Sequence, residues 1–261
     1  MITLIGSGNV ATWMAQRLQE SSRFPVTQVY SRKLENAQRL AELSGAQPID
    51  DLKALNPDNH VFIFALADNA YDHVLPQLPF KLPMAFMTSG TVSCQCLKDY
   101  ADCFGVIYPL QTFTKTQEMR NLDVPLCLEY QEPTLPCAGT NYREQMWSLA
   151  RELSPNCYEV SEAQRAKMHV AAVFACNFSN AMYQIAYKLL QENNLPFEIL
   201  LPLLRQTVEK VSVMTPAEAQ TGPAVRGDRN VMQTQLASLD DERLREIYVL
   251  MSDVISETMK R

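Results

Sequence analysis

A glycine-rich hexapeptide near the start of the chain is the first candidate for chemistry. Residues 6–11 are Gly-Ser-Gly-Asn-Val-Ala, a G-x-G-x-x-A pattern between an apolar run and a helical pattern. Gly6 allows a tight turn, Gly8 lets the backbone approach a pyrophosphate, and Ala11 lets helix and strand pack closely. The free N–H groups at the helix start attract the phosphates. The pattern therefore predicts a dinucleotide site that includes Gly6, Ser7, Gly8, Asn9 and Val10.

The residues after the second predicted strand distinguish between two cofactors. Ser31, Arg32 and Lys33 stand where NAD-binding domains usually carry an acid that holds the ribose hydroxyls. A hydroxyl and two cations can instead hold a 2′-phosphate through charge-assisted hydrogen bonds. The sequence therefore favours NADP. The alternative is that Ser31 only caps the next helix and that both cations are solvated.

Polar residues also follow three later strands. Open α/β sheets bind ligands beyond the carboxyl ends of their strands. On this basis we assign Ala65, Leu66, Asp68 and Ser89 to the cofactor site, and Tyr108 and Gln111 to a substrate site. Asp68 and Ser89 are equally good candidates for helix caps.

The helical second half supplies three candidate catalytic residues, Lys167, His169 and Asn177. On a regular α-helix Asn177 lies about 80° from each of the other two around the axis. A histidine titrates nearest neutral pH, so His169 or Lys167 could give a proton while Asn177 orients the reacting group. The alternatives are a buried, hydrogen-bonded histidine, a solvated lysine and an asparagine that only packs.

A loop between later helices holds two further substrate candidates, Thr221 and Arg226. Gly222 and Gly227 flank the arginine, and such a loop can wrap an anion. The rigid guanidinium fork of Arg226 suits a carboxylate.

Strands and helices alternate in the first part of the chain. The predicted strands are Ile2–Ile5, Thr27–Tyr30, Val61–Leu66, Met84–Thr88, Phe104–Ile107 and Val124–Glu129. The predicted helices are Asn9–Glu20, Leu34–Ser44, Asn69–Gln77 and Tyr142–Leu153, then Ser161 to about Gln191, Pro196–Val213, Asn230–Leu239 and Asp240–Met259, with Thr215–Asp228 irregular. This pattern predicts an α/β protein, with a doubly wound parallel Rossmann sheet in residues 1–158 and an all-helical domain in residues 159–261.

Composition excludes several classes of protein. The net charge of −6 argues against a general nucleic-acid binder. The longest apolar runs, such as Val61 to Ala67, fall far short of the ~20 residues of a membrane span. The seven cysteines, Cys137 among them, are irregularly spaced, which is typical of reduced thiols in a cytoplasmic protein, and with three histidines no metal cluster is predicted.

Motifs from both halves resemble one bacterial family, in which a Rossmann-like NADP-binding domain precedes a helical C-terminal domain of unknown function. They are the G-x-G-x-x-A start, the Ser31-Arg32 pair, Pro109–Phe113, Lys167–Phe174 with Asn177, and Ala219–Asp228. More distantly the chain is similar to the 6-phosphogluconate dehydrogenase-like superfamily, which includes pyrroline-5-carboxylate reductase and the deazaflavin-linked NADP reductases.

The resemblance implies an NADP-dependent oxidoreductase that transfers a hydride between nicotinamide and a small, anionic substrate. It also implies a homodimer through the helical domain, whose helices carry more apolar positions than one thin layer can cover. Tyr108 stands where the family often has histidine, and a phenol there can still donate a hydrogen bond. Two alternatives stay open: a non-catalytic NADP-binding regulator on the same fold, and an imine rather than a hydroxy acid as substrate.

Overall fold

The computed structural model describes residues 1–114, 123–131 and 141–258. The chain divides into two compact units, Met1–Asn180 and Ala181–Arg261. The first unit contains the whole sheet, and the second is helical. The last strand ends at Glu159, where the sequence predicts the change to helical structure. The domain boundary between residues 158 and 159 stays a prediction.

A single eight-stranded sheet organises the first unit. Its strands are β1 (Ile2–Ile5), β2 (Val26–Tyr30), β3 (Gln47–Ile49), β4 (Val61–Phe64), β5 (Leu82–Met87), β6 (Ala101–Pro109), β7 (Leu126–Gln131) and β8 (Cys157–Glu159). Their order across the sheet is β3-β2-β1-β4-β5-β6-β7-β8. All neighbours are parallel except β6 and β7. Six strands thus follow the doubly wound order 3-2-1-4-5-6, and the predicted fold class is confirmed.

Helices cover both faces of this sheet. They are α1 (Asn9–Leu18), α2 (Leu34–Ser44), α3 (Tyr71–Val74), α4 (Tyr142–Leu153) and α5 (Glu162–Ala172). Successive residues of β4 point to opposite faces, so that Ile63 belongs to one apolar cluster and Phe64 to the other. Trp13 of α1 is fully buried in the first cluster. Burial on both faces explains why the strands are nearly continuous apolar runs.

The long predicted helix is confirmed, with a change of type in its middle. Ser161 caps α5 in a capping box with Gln164. A π-helix, Val173–Phe178, follows α5 directly, and α6 (Ser179–Glu192) continues from it.

The second unit contains the remaining helices. They are α7 (Leu201–Val213), α8 (Pro216–Ala219), α9 (Pro223–Arg226), α10 (Arg229–Ala237) and α11 (Glu242–Thr258). The expectation that Thr215–Asp228 is irregular is wrong, because this segment holds the one-turn helices α8 and α9. Thr215 and Glu218 form a capping box that starts α8. Met259, the predicted end of the last helix, lies outside the described residues.

Two strands were missed, and one predicted helix is broken. β3 and β8 have three residues each, and β3 contains a proline, so neither gives a clear periodic signal. The segment predicted as Asn69–Gln77 consists of 3₁₀ turns at Asp68–Ala70 and Leu75–Gln77 with α3 between them. Pro76 removes a backbone donor there and prevents a continuous α-helix.

Three further features concern the described residues as a whole. None of their helices has the length and apolar character of a membrane span. No three of their His, Cys, Asp or Glu side chains lie close enough together to hold a metal ion. Of the cysteines in the described ranges, Cys94, Cys103 and Cys127 are buried; Cys137 lies outside these ranges.

Candidate functional site

The turn after β1 has the geometry that close approach of a ligand requires. Gly6 has a φ of 118°, and a side chain there would overlap the carbonyl of Ala65 at the end of β4. No atom lies within 4 Å of the place where a Cβ of Gly8 would stand. None of the described side chains caps the first turn of α1. Open space and uncapped N–H groups at a helix start fit a pyrophosphate.

A cleft of about 930 Å³ opens beside this turn. Its lining includes most of the predicted cofactor residues, namely Gly6, Ser7, Gly8, Ser31, Arg32, Lys33, Ala65 and Leu66. The Ser7 hydroxyl donates to the Ser31 hydroxyl at 2.9 Å, which ties the turn after β1 to the loop after β2. The strand order brings these loops together, because β2 and β4 both neighbour β1.

The two cations after β2 are exposed side chains on the rim of this cleft. Neither Arg32 nor Lys33 makes an ion pair with a described residue. Sequence reasoning missed two acids, Asp50 and Asp51, which follow β3 and lie close enough to raise the pKa of Tyr30, although burial of the phenol raises that pKa more. Neither acid lines the cleft.

Four residues assigned to the cofactor do not line this cleft, and their role toward a cofactor stays a prediction. Asn9, Val10, Asp68 and Ser89 are not among the residues that line the cleft. The Asn9 amide donates to the carbonyl of Phe113 at 2.7 Å. The Ser89 hydroxyl donates to the Asp68 carboxylate at 2.7 Å, so these two side chains join the loops after β4 and β5.

A second cleft, of about 600 Å³, lies beyond the end of β6. Its polar lining consists of Tyr108, Gln111, Thr112, His169 and Asn177. The Tyr108 hydroxyl lies 3.0 Å from Nδ1 of His169. Burial of the phenol raises the pKa of Tyr108, with a smaller contribution from nearby Cys127. Tyr108 therefore keeps its proton at neutral pH and can donate a hydrogen bond to the imidazole.

The π-helix determines which side of the long helix Asn177 faces. A π turn takes one more residue than an α turn, so residues beyond it are turned back around the axis by up to about 100°. The π-helix therefore brings Asn177 closer to the side of His169 than a regular helix does. Both residues line the second cleft. The angular separation of Asn177 from Lys167 and from His169 stays a prediction.

The other predicted residues are not in this cleft. Lys167 is exposed and does not line it. Thr221 and Arg226 belong to the second unit, where both are exposed. Arg226 is the last residue of α9, directly before Gly227 with a φ of 66°. Thr221 lines a separate, mostly apolar cavity of about 330 Å³. Their roles toward a substrate stay predictions.

Sequence reasoning missed a buried ion pair beside the second cleft. Arg165 of α5 is fully buried and pairs with Glu129 of β7 at 3.1 Å. The Cys94 thiol donates to the other oxygen of Glu129 at 3.2 Å. The carboxylate and burial together raise the pKa of Cys94. An acid within an otherwise apolar central strand was the one available signal, because such an acid needs a buried partner.

Comparison with known proteins places this geometry in a family. The domain of unknown function DUF2520 matches residues 138–255. No curated protein matches the chain. A solved structure from Bacteroides fragilis, titled "putative NADP oxidoreductase", has 36% sequence identity and a TM-score of 0.87, with 98% of this chain and 97% of that chain covered.

Two more distant structures share the fold. A Thermotoga maritima protein has 21% identity and a TM-score of 0.73, with 100% of this chain and 98% of that chain covered. A pyrroline-5-carboxylate reductase from Coxiella burnetii has 17% identity and a TM-score of 0.59, with 99% and 97% covered. The chain therefore belongs to the family of the Bacteroides protein, Rossmann-fold proteins of the NADP oxidoreductase type whose C-terminal part is the DUF2520 domain.

Proposed function

We propose that the protein is an NADP-dependent oxidoreductase that transfers a hydride between nicotinamide and a small, anionic substrate. One observation carries the proposal: the cleft beside the G-x-G-x-x-A turn has Ser31, Arg32 and Lys33 on its wall and no acid in its lining. The relative from Bacteroides fragilis, titled as an NADP oxidoreductase, supports the same cofactor.

Each part of the first cleft has a task in holding the cofactor. The turn at Gly6–Gly8 and the start of α1 hold the pyrophosphate with backbone N–H groups. Ser31 and Arg32 hold the 2′-phosphate, and the free cation of Lys33 adds to the local positive potential. Ala65 and Leu66 present an apolar wall at the end of β4. When bound, NADPH supplies the hydride.

The second cleft supplies the polar groups for the substrate. Reduction of a carbonyl or imine carbon by hydride requires a proton for the oxygen or nitrogen, and His169 is the residue best placed to give it. Tyr108 orients the imidazole, Asn177 orients the reacting group, and Gln111 contacts the substrate. Lys167 is a weaker candidate for the proton donor because it is exposed. The role of Arg226 toward a carboxylate stays a prediction.

A largely apolar cleft that holds a few polar side chains argues for catalysis rather than for a regulator. A protein that only sensed NADPH would have no use for His169, Asn177 and Tyr108 around a space of about 600 Å³. The structure of the pyrroline-5-carboxylate reductase relative supports an imine as one substrate class.

Titration calorimetry tests the cofactor assignment. We expect NADPH to bind more tightly than NADH. Arg32→Ala should weaken NADPH binding about ten- to hundredfold, because a charge-assisted hydrogen bond contributes ~1.5–3 kcal/mol, and should barely change NADH binding. Arg205→Ala, which removes an exposed arginine of α7, is the control. Equal affinity of the unmodified protein for the two cofactors would overturn the assignment.

A further inference from the structure

Gly90 lies in the loop after β5, where the rings of Tyr108 and His169 meet. A Cβ at this position would stand 2.5 Å from Nδ1 of His169 and 2.9 Å from Cζ of Tyr108. Both distances are well below the ~3.5–4.0 Å of a favourable contact. The two rings therefore occupy the space that any side chain at position 90 would need.

Hydrogen bonds from a buried side chain hold the backbone on both sides of Gly90 in place. The buried guanidinium of Arg165 donates to the carbonyl of Ser89 at 3.0 Å and to that of Val92 at 3.1 Å. Glu129 fixes the guanidinium in turn through the ion pair and through a bond from Nε at 3.2 Å. The loop is thus anchored at residues on either side of Gly90.

Side-chain bonds within the loop add a second restraint. The Ser89 hydroxyl donates to Asp68 and accepts from the backbone N–H groups of Thr91 at 3.1 Å and Val92 at 2.9 Å. With Ser89 and Val92 both held, the loop has little freedom to retreat from a new side chain. The rings of Tyr108 and His169 would have to move apart instead.

The contact between these rings has a chemical consequence for the imidazole. The Tyr108 hydroxyl, which burial keeps protonated by raising its pKa, lies 3.0 Å from Nδ1 of His169, and either group can donate in this bond, depending on the tautomer of the ring. Donation to Nδ1 leaves the hydrogen of the neutral imidazole on Nε2. The partner of one ring nitrogen thus selects the tautomer and makes Nε2–H the group of the neutral ring that can donate a hydrogen bond.

We propose that Gly90 is a positioning residue, which leaves the space for Tyr108 to hold His169 in its Nε2–H form. The inference rests on the proposed function, in which His169 is the proton donor. The loop after β5, which contains Ser89 and Gly90, thereby has a role in positioning His169 in addition to the role predicted for Ser89 at the cofactor. Arg165 and Glu129 act on His169 indirectly, because they hold the backbone of this loop in place beside the two rings.

Nitrogen-15 NMR of histidine-labelled protein tests the proposal without cofactor or substrate. The chain has three histidines, and His60 and His73 are exposed and serve as internal references for a solvated imidazole. Loss of a signal in His169→Gln assigns the third. The variants are Gly90→Ala and Tyr108→Phe. Thr91→Ala is the control, because Thr91 is an exposed residue of the same loop whose hydroxyl donates to Asp68 and not to a ring.

We expect the unmodified protein and Thr91→Ala to show His169 in the Nε2–H form. Gly90→Ala and Tyr108→Phe should both shift its ring nitrogens toward the averaged positions of the two references. The proposal is overturned if His169 of the unmodified protein already gives averaged positions. It is equally overturned if Gly90→Ala leaves the tautomer unchanged while Tyr108→Phe alters it.

A thermal-melting cycle covers the case in which Gly90→Ala folds poorly. His169→Ala removes the atoms nearest to the new Cβ, so Gly90→Ala should lower Tm less in that background than in the unmodified protein. Equal losses in both backgrounds would contradict the proposal. Because neither measurement uses a cofactor, failure of NADPH to bind would overturn the proposed function and leave these results interpretable on their own.

Discussion

The two units of this protein bury their side chains to very different extents. The first unit has two apolar clusters with many fully buried residues, including Trp13, Phe62 and Phe64. Of the described residues of the second unit, only Ala224 and Ser252 are buried. Large aliphatic side chains are instead exposed there, with Val213 at 79%, Leu250 at 64% and Leu203 at 62%.

This difference indicates that the two units are stabilised in different ways. Folding is driven mainly by removal of apolar surface from water, at ~25 cal/mol per Å². The first unit achieves this with its own side chains. Large contiguous apolar surfaces on soluble proteins usually mark interfaces. The comparison therefore supports our prediction of a homodimer through the helical domain, in which these apolar side chains pack against another copy of the chain.

The largest expected effect is loss of the homodimer. Light scattering at micromolar concentration should give twice the chain mass of 29.5 kDa. The double variant Leu203→Glu/Leu250→Glu should dissociate, because each charge at the centre of an interface costs ~2 kcal/mol or more and two raise Kd roughly a thousandfold. Leu34→Glu, on an exposed residue of the first unit, is the control. A monomer mass for the unmodified protein would contradict the predicted homodimer.

The next effect is confined to the first unit. Arg165→Met leaves the buried carboxylate of Glu129 without its partner and should lower the free energy of unfolding by ~3–5 kcal/mol. The matched control is Arg143→Met, because the Arg143–Glu159 pair is about half exposed and should contribute ~0–1 kcal/mol.

Tryptophan fluorescence during urea unfolding can follow this change. Both tryptophans, Trp13 and Trp147, lie in the first unit, so the signal reports on that unit alone. An equal decrease in the free energy of unfolding in the two arginine variants would show that the buried Arg165 pair contributes no more to stability than the exposed Arg143 pair.

The smallest effect concerns alkaline pH. Burial raises the pKa of the Cys127 thiol from 9.0 to about 11, and burial also raises the pKa of Tyr71 and Cys94. A folded-state pKa above the unfolded value gives stability that is complete below pH 9 and is lost as pH rises toward 11. We expect the first unit to lose stability in this window.

Urea unfolding between about pH 8 and pH 11 measures the loss. Cys127→Val should make it smaller, while Cys176→Val, which removes an exposed thiol, is the control. In the second unit, hydrogen bonds from Thr215 lower the pKa of Glu218, which bears on stability at acid pH rather than at alkaline pH. An unchanged pH profile in Cys127→Val would contradict the assignment of the loss to this thiol.

Part of the candidate site could be predicted, because its residues are close together in the sequence. The turn at Gly6–Gly8 and the residues after β2 are fixed by neighbours in sequence, and the strand order then brings them to one cleft. Ser31 lines this cleft for the same reason. Short edge strands such as β3 were not predictable, because three residues carry no period.

Other parts of the site depend on contacts between residues far apart in the chain. The pairing of Arg165 with Glu129 joins positions 36 residues apart, and no local pattern indicates it. Gly90 resembles any loop glycine until the rings of Tyr108 and His169 are seen against it. The π-helix likewise has no known sequence signal here, and a regular helix places Asn177 about 80° from His169 around the axis.

The wide turn at Val173–Phe178 also bears on how such a site arises and disappears in evolution. A π turn accommodates one inserted residue without breaking the helix that contains it. Deletion of a single codon within this stretch would return the turn to regular α geometry and remove the local widening that brings Asn177 and His169 into one cleft. A change of one residue in length, with every side chain of the first cleft left intact, is thus enough to change the wall of the second cleft.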